Sequence, residues 1–206
     1  MKVLLINGSP HENGCTYTAL KVISDRLYEN GIDSQIFHLG TDAISGCMAC
    51  GACAKLGKCK IADKVNEFAY FADSACGFVF GSPVYYAGMS GQLASFMDRL
   101  FYSASAKLQG KPAFAVVSCR RGGASTAFDS INKYFQMCNM PVVPSQYWNQ
   151  VHGTCAQEVL KDLEGLQTLK VASDNLSWLI KCIQAGKNAG ISIPEREPKI
   201  RTNFIR

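Results

Sequence analysis

The sequence predicts an α/β fold: a doubly wound, five-stranded parallel sheet with helices on both faces. Three observations lead there. Short apolar runs alternate with segments whose apolar residues recur at helical spacing. Those runs lack the in-and-out alternation of a half-exposed strand, so they read as strands buried on both faces. Turns of Gly, Ser and Pro follow the strands, as parallel strand–helix units require. The chain of 206 residues suits one domain spanning 1–206, with a cysteine-rich loop at 46–60 and a tail at 190–206.

Residues 3–6 (VLLI) form the first strand. A helix begins near Thr16, places Leu20, Ile23 and Leu27 on one face, and stops at Asn30-Gly31. Residues 34–39 (SQIFHL) give the second strand. After the cysteine-rich loop, Asp63 is a good N-cap for a helix whose Val65, Phe68 and Ala69 face inward. Residues 76–80 are the third strand, followed by Gly81-Ser82-Pro83. A helix from about Ser90 carries Leu93, Phe96, Met97 and Leu100. Residues 112–117 are the fourth strand, and the helix after it runs to about Cys138. The fifth strand is expected at 140–143. A single long helix is expected from Gln157 toward Gly186, with Leu160, Leu163, Leu166, Leu169, Leu176, Leu179 and Ile183 as its core stripe.

Composition narrows the function classes. Hydrophobic residues make up 48% and charged residues 18%, ordinary for a soluble domain. No apolar run reaches the ~18 residues of a membrane helix, and the opening MKVLLINGSP is too short for a signal peptide, so a cytoplasmic protein with no membrane partner is expected. The net charge of +5 is spread along the chain, with its densest stretch in the tail at 199–206, and nucleic acid is not an expected partner. Ten cysteines are many for this length. Without an export signal, thiol, metal or redox chemistry explains them better than a disulfide framework.

In a doubly wound sheet, ligands bind beyond the carboxyl ends of the strands, where strand order reverses. Three strand ends here carry loops of small residues. The first, running from Asn7 to Thr16, leads into a helix whose free amides and positive end favour an anion, with Ser9 and Thr16 as hydroxyl donors. It contains neither G-x-G-x-x-G nor G-x-x-x-x-G-K-[ST], which argues against a tightly held dinucleotide or a P-loop nucleotide. The second, Gly81 to Gly88, offers backbone and the rings of Tyr85 and Tyr86 to a flat heterocycle. The third, Ser118 to Gly123, sets Arg120 and Arg121 beside Gly122 and Gly123, and glycine lets backbone approach a ligand closely.

GSP before a Thr-initiated helix, GSPVYY at 81–86, SCRRGG at 118–123, YWNQVHG at 147–153 and the TNFIR ending together resemble the NADPH-dependent FMN reductase family, of flavodoxin-like fold. The resemblance covers nearly the whole chain. It implies FMN held at its phosphate by Ser9, Cys15, Thr16 and Tyr17. Pro83, Val84, Tyr85 and Tyr86 would then line the flavin with Ser118, Arg120, Arg121, Gly122 and Gly123. A cation at the flavin edge stabilises the reduced anion, and the flavin itself carries the chemistry, so no catalytic side chain is expected. The implied reaction is hydride transfer from NAD(P)H to FMN, then electron release to a quinone, free flavin, azo or nitro compound, or a redox protein. A homodimer or homotetramer is implied too, since such pockets are usually covered by a second subunit's aromatics, and the segment around His152 is a candidate wall. Two departures stand out: His11 occupies a place where many relatives carry Arg or Lys, and Cys15 one where they often carry Asn.

Cys47-x2-Cys50-x2-Cys53-x5-Cys59 is the most specific local signal. Thiolates three residues apart can bend round a compact cluster, and four are the usual complement of a 4Fe–4S centre. Structural zinc usually takes two close pairs with a longer separation, which this run lacks. The spacing resembles the motif of iron–sulfur flavoproteins, a branch of the same family, and implies an electron carrier using FMN plus a cluster. Bare redox-active thiols, a disulfide, and zinc or another metal remain alternatives at this level.

Overall fold

The chain alternates strand and helix in the order β1 (Lys2–Asn7), α1 (Cys15–Glu29), β2 (Asp33–His38), α2 (Ala52–Leu56), α3 (Lys64–Ala72), β3 (Gly77–Pro83), α4 (Gly91–Ser103), α5 (Ser105–Leu108), β4 (Ala113–Cys119), α6 (Ala124–Met137), β5 (Gln150–His152), α7 (Ala156–Val159) and α8 (Leu163–Asn188). The computed structural model describes residues 1–204; Ile205 and Arg206, the end of the expected tail, lie outside the described residues. All five strands are parallel, in the order β2-β1-β3-β4-β5. The order reverses between β1 and β3, so the crevice for a ligand lies above those two strands.

Each central strand is apolar on both sides because each face is covered. Leu4, Ile6, Phe78, Phe80, Ala115 and Val117 turn to the core shared with α3, α4 and α6. Their neighbours Val3, Leu5, Val79, Phe114 and Val116 turn to the opposite core with α1 and α8. Phe68 centres the first core, with its ring 5.3 Å from Phe37 and 5.4 Å from Phe96, both edge-on. Arg26 on α1 grips Asp174 on α8 through Nε and Nη2 at 2.7 and 2.8 Å, locking the two helices of the second layer together.

The fifth strand departs from expectation. Residues 140–143 do not form it: Val142 makes one isolated parallel bridge to Ala113, at the start of β4. The ladder resumes only at Gln150–His152, beside Val117 to Cys119. Two prolines bracket the bridge: the segment contributes only the Pro141 carbonyl and the Val143 amide before leaving the sheet, and Pro144 follows at once.

The long helix also differs. Asp162 accepts from the Gly165 amide at 3.0 Å and starts α8 there, leaving α7 as a separate turn. Leu160 and Leu163 are exposed and fall outside the buried stripe of Leu169 and Leu176. Among the described residues no helix is long and apolar enough to cross a membrane.

Candidate flavin cleft and cysteine pocket

The phosphate loop is shaped by its own side chains. Asn7 accepts from the Ser9 amide at 3.1 Å, and its amide group donates to the Glu12 carbonyl at 3.2 Å, closing the loop on itself. Ser9 Oγ accepts from the His11 amide at 3.1 Å, which leaves the hydroxyl proton free to donate. His38 on β2 reaches the Ser9 carbonyl with Nε2 at 3.0 Å. On the other side, Ser90 Oγ donates to the Gly8 carbonyl at 2.7 Å and accepts from Leu93, so the cap of α4 also braces this loop.

α1 begins without a side-chain cap and without an acidic residue in its first turn. Its first intrahelical bond runs from the Thr18 amide to the Gly14 carbonyl, so the amides of Cys15, Thr16 and Tyr17 have no acceptor within the helix. That is the arrangement an anion completes. Cys15 Sγ points to the Gly153 carbonyl at 3.6 Å, and burial, then the neighbouring Cys155, push its thiol up. A thiol kept neutral brings no charge against a phosphate.

Around this turn a cleft of about 640 Å³ opens, lined by Ser9, His11, Cys15, Thr16, Pro83, Val84, Tyr85, Ser118, Cys119, Arg120 and the strip from Gly153 to Gln157. The three glycine-marked loops thus meet at one rim. Gly8 donates to the Gly81 carbonyl at 2.9 Å, Val84 to the Ser118 carbonyl at 3.0 Å, and Thr16 Oγ1 stands 2.9 Å from Ser118 Oγ. The donor count, with free amides, one Ser9 proton and Arg120 as a cation, fits a phosphorylated ring compound such as FMN.

Five of the residues expected around FMN lie outside the cleft lining: Tyr17, Tyr86, Arg121, Gly122 and Gly123. Tyr85 to Gly88 is a tight turn closed by reciprocal amide–carbonyl bonds of 2.9 Å, and its corner carries Tyr86 at φ 49° and Ala87 at φ 60°. That left-handed backbone turns the Tyr86 ring wholly to solvent. Gly123, at φ 86°, packs where a Cβ would stand 2.9 Å from Ala87 Cα, so it supports the second loop from behind. Tyr147, Trp148 and His152 face a different pocket with Asp162, not the cleft. Within one chain the wall of the cleft is the strip from Gly153 to Gln157, whose Thr154 holds Glu158 from its amide at 2.6 Å. The single signal available for that strip in the sequence was Gly153, whose amide donates to the Cys119 carbonyl at 3.1 Å and where a Cβ would meet the Val159 amide nitrogen at 2.9 Å.

The second site lies at the far end of α4. Cys47, Cys50, Cys53 and Cys59 line one pocket together with Lys60, Arg99 and Tyr102. Gly51 and Gly57, both with positive φ, flank the short helix α2 and turn the chain at both of its ends, within the loop whose four cysteines line this pocket. Among the described residues no three His, Cys, Asp or Glu side chains close on a single-ion site. The donor set, four thiols with no carboxylate or imidazole, fits an iron–sulfur cluster, in which each thiolate takes a different iron. None of the ten cysteines is in a disulfide.

Residues 1–154 match the model of the family described as NADPH-dependent FMN reductase. An iron–sulfur flavoprotein of Methanocaldococcus jannaschii is 30% identical over 194 residues, covering 89% of this chain and all of that protein. A solved flavodoxin from the domain Archaea has a TM-score of 0.60 at 19% identity, over 88% of this chain and 99% of its own. An NADH:FMN oxidoreductase in its apo form has a TM-score of 0.65 at 18% identity, over 86% and 89%. The fold is flavodoxin-like, and the chain belongs to the NADPH-dependent FMN reductase family of FMN-binding oxidoreductases.

Proposed function

We propose that this chain is an FMN-binding electron-transfer protein of the iron–sulfur flavoprotein kind, with FMN in the cleft above β1 and β3 and a 4Fe–4S cluster at the four cysteines. The observation that carries the reading is the pocket shared by Cys47, Cys50, Cys53 and Cys59 on a flavodoxin-like chain. The full-length similarity to an iron–sulfur flavoprotein supports it.

FMN, when bound, supplies one- and two-electron chemistry that no side chain here provides. The protein's part is to hold and tune. The amides of Cys15, Thr16 and Tyr17 and the Ser9 hydroxyl bind the phosphate. Pro83, Val84 and Tyr85 present backbone and ring to the flavin, and Arg120 places a cation at the cleft. The exposed Tyr86 suits cover by a second copy of the chain, in a homodimer or homotetramer. Ten unpaired thiols suit a reducing compartment, and we place the protein in the cytoplasm.

The exchange partner we assign is an acidic redox protein. Lys60 lines the cysteine pocket, Lys55 and Lys58 are exposed on the same loop, and no carboxylate occurs from residue 43 to 62. Such a positive rim steers an acidic partner and loses its effect as salt rises. A second reading, direct reduction by NADPH or NADH with release to a small acceptor, is favoured by the family match.

Anaerobic purification with FMN, iron and sulfide analysis tests the first reading; about four irons per chain are expected from a cluster held by four thiolates. Loss of the 450 nm flavin absorbance is then followed with a reduced ferredoxin and with each nicotinamide. Bleaching by ferredoxin but by neither nicotinamide supports the carrier. A protein free of iron and bleached by NADPH overturns it in favour of the reductase.

A further inference from the structure

Arg99 is the largest fully buried side chain among the described residues, 1% exposed, and it sits on α4 beside the cysteine pocket. Burying a guanidinium costs several kcal/mol unless its charge and donors are matched. Asp63 matches the charge, taking Nη1 at 2.5 Å and Nη2 at 2.9 Å. The carbonyls of Ile61 and Ser45 accept at 3.0 and 3.4 Å. The Nε proton goes to Cys59 Sγ alone, at 3.3 Å, and Nη2, whose two protons are shared among Asp63, Ile61 and this sulfur, also stands 3.3 Å from it.

That last pairing is out of proportion to what it meets. A neutral thiol is a weak acceptor, whereas a thiolate bound to iron carries negative charge and accepts strongly. Two donors of a buried cation aimed at one sulfur therefore suit a cluster ligand better than a plain thiol. Cys47 and Cys50 are exposed, so the four sulfurs are not treated alike.

We propose that Arg99 is a positioning residue that sets the reduction potential of the cluster at Cys47, Cys50, Cys53 and Cys59, through its paired hydrogen bonds to Cys59 Sγ. Hydrogen bonds to ligating sulfur, and positive charge near it, stabilise the state with one more electron and so raise the potential. One electron enters the cluster, supplied in the titration below by dithionite, and Arg99 neither gains nor loses a proton. Asp63 opposes the effect by drawing the guanidinium's charge to itself, and it also caps α3 through the Val65 amide at 3.0 Å. The proposal rests on the cluster reading above.

Two variants with opposite expected signs test it. Arg99→Lys keeps the cation but cannot close a fork on one sulfur. Asp63→Asn keeps a capping side chain but removes the competing carboxylate. Wild type and both variants are reconstituted anaerobically, analysed for iron and sulfide, and titrated with the cluster followed by electron paramagnetic resonance and FMN by its visible spectrum. Arg99→Lys should take up iron and sulfide as wild type does while its cluster becomes at least tenfold harder to reduce, a fall of about 59 mV for one electron. Asp63→Asn should shift the cluster the other way, and FMN should not move in either. Loaded variants whose cluster potential stays at the wild-type value overturn the assignment. If Arg99→Lys fails to fold or load, an unmoved potential in Asp63→Asn overturns it alone. Failure of wild type itself to take up iron and sulfide refutes the cluster reading, and the role of Arg99 falls with it.

Discussion

Thr16 Oγ1 lies 2.9 Å from Ser118 Oγ, so the first turn of α1 and the end of β4, 102 residues apart in sequence, are joined by a buried hydroxyl pair. Whichever hydroxyl donates to the other, the accepting one keeps a proton to give to a ligand. Thr16→Val removes one of the two hydroxyls and leaves the Ser118 hydroxyl without the partner that orients it, at a cost of about 1–3 kcal/mol. FMN affinity should fall with it, while Thr16→Ser retains both. Fluorescence titration with FMN and urea unfolding of the apoprotein measure the two losses separately. A valine variant matching wild type in both would show that the pair contributes to neither.

Gly8 is tested by crowding. A Cβ there would stand 2.9 Å from both the Gly81 carbonyl oxygen and Leu93 Cβ, and neither atom is the loose end of a flexible side chain. Gly8→Ala should therefore cost about 1–3 kcal/mol, as overpacked cores do. The amide that bonds Gly81 is in the same residue, so the phosphate loop should shift as well. Thermal melting with and without FMN reads both effects.

Thiol reactivity separates two cysteines of the cleft. Cys155 is exposed, while Cys15 is half-buried with its thiol pushed up by burial first and by Cys155 second. Since the thiolate is the reactive form, iodoacetamide at neutral pH should label Cys15 at least about tenfold more slowly than Cys155. FMN should slow both. Peptide mapping by mass spectrometry gives the rates, and equal labelling in the apoprotein would contradict the buried placement.

The clasp between α1 and α8 predicts part of the acid stability. The Arg26 guanidinium, assisted by Asn30, holds the Asp174 carboxyl below its ordinary value. A carboxyl depressed in the folded state contributes stability that is complete above the unfolded value, about 3.9, and fades as pH falls through the lower folded value. Denaturant melts between about pH 5 and pH 2 should show this decline in wild type. Asp174→Asn should be flatter over that interval and should follow the wild-type slope at higher pH.

Much of this was legible in the residues because the signals were local. Val3 to Ile6 is apolar on both faces, Asp63 and Ser90 cap their helices, and the cysteine spacing is a motif in itself. The fifth strand was misplaced because residues 140–143 look like a strand by composition, whereas pairing is decided by how far the chain runs beside β4, and there only Val142 meets it. Arg99 carried no signal at all. It sits in the middle of an amphipathic helix, and only the fold brings Cys59 and Asp63, 40 and 36 residues away, onto its two edges. Beyond Gly153, the strip to Gln157 carried no signal for a related reason: it becomes a wall only when β5 ends beside Cys119.

The split of the fifth strand has a further effect at the margin of the sheet. β5 offers just three residues before the chain turns away, and the segment bridging Ala113 is flanked by two prolines. At the opposite margin, β2 carries Asp33, Ser34, Gln35 and His38. Neither border presents a long, flat, apolar row of unpaired amides and carbonyls onto which another polypeptide could add as a strand. Self-association of the folded chain must then run through loops and helix surfaces, and ribbon-like fibrils have no natural starting line on this molecule.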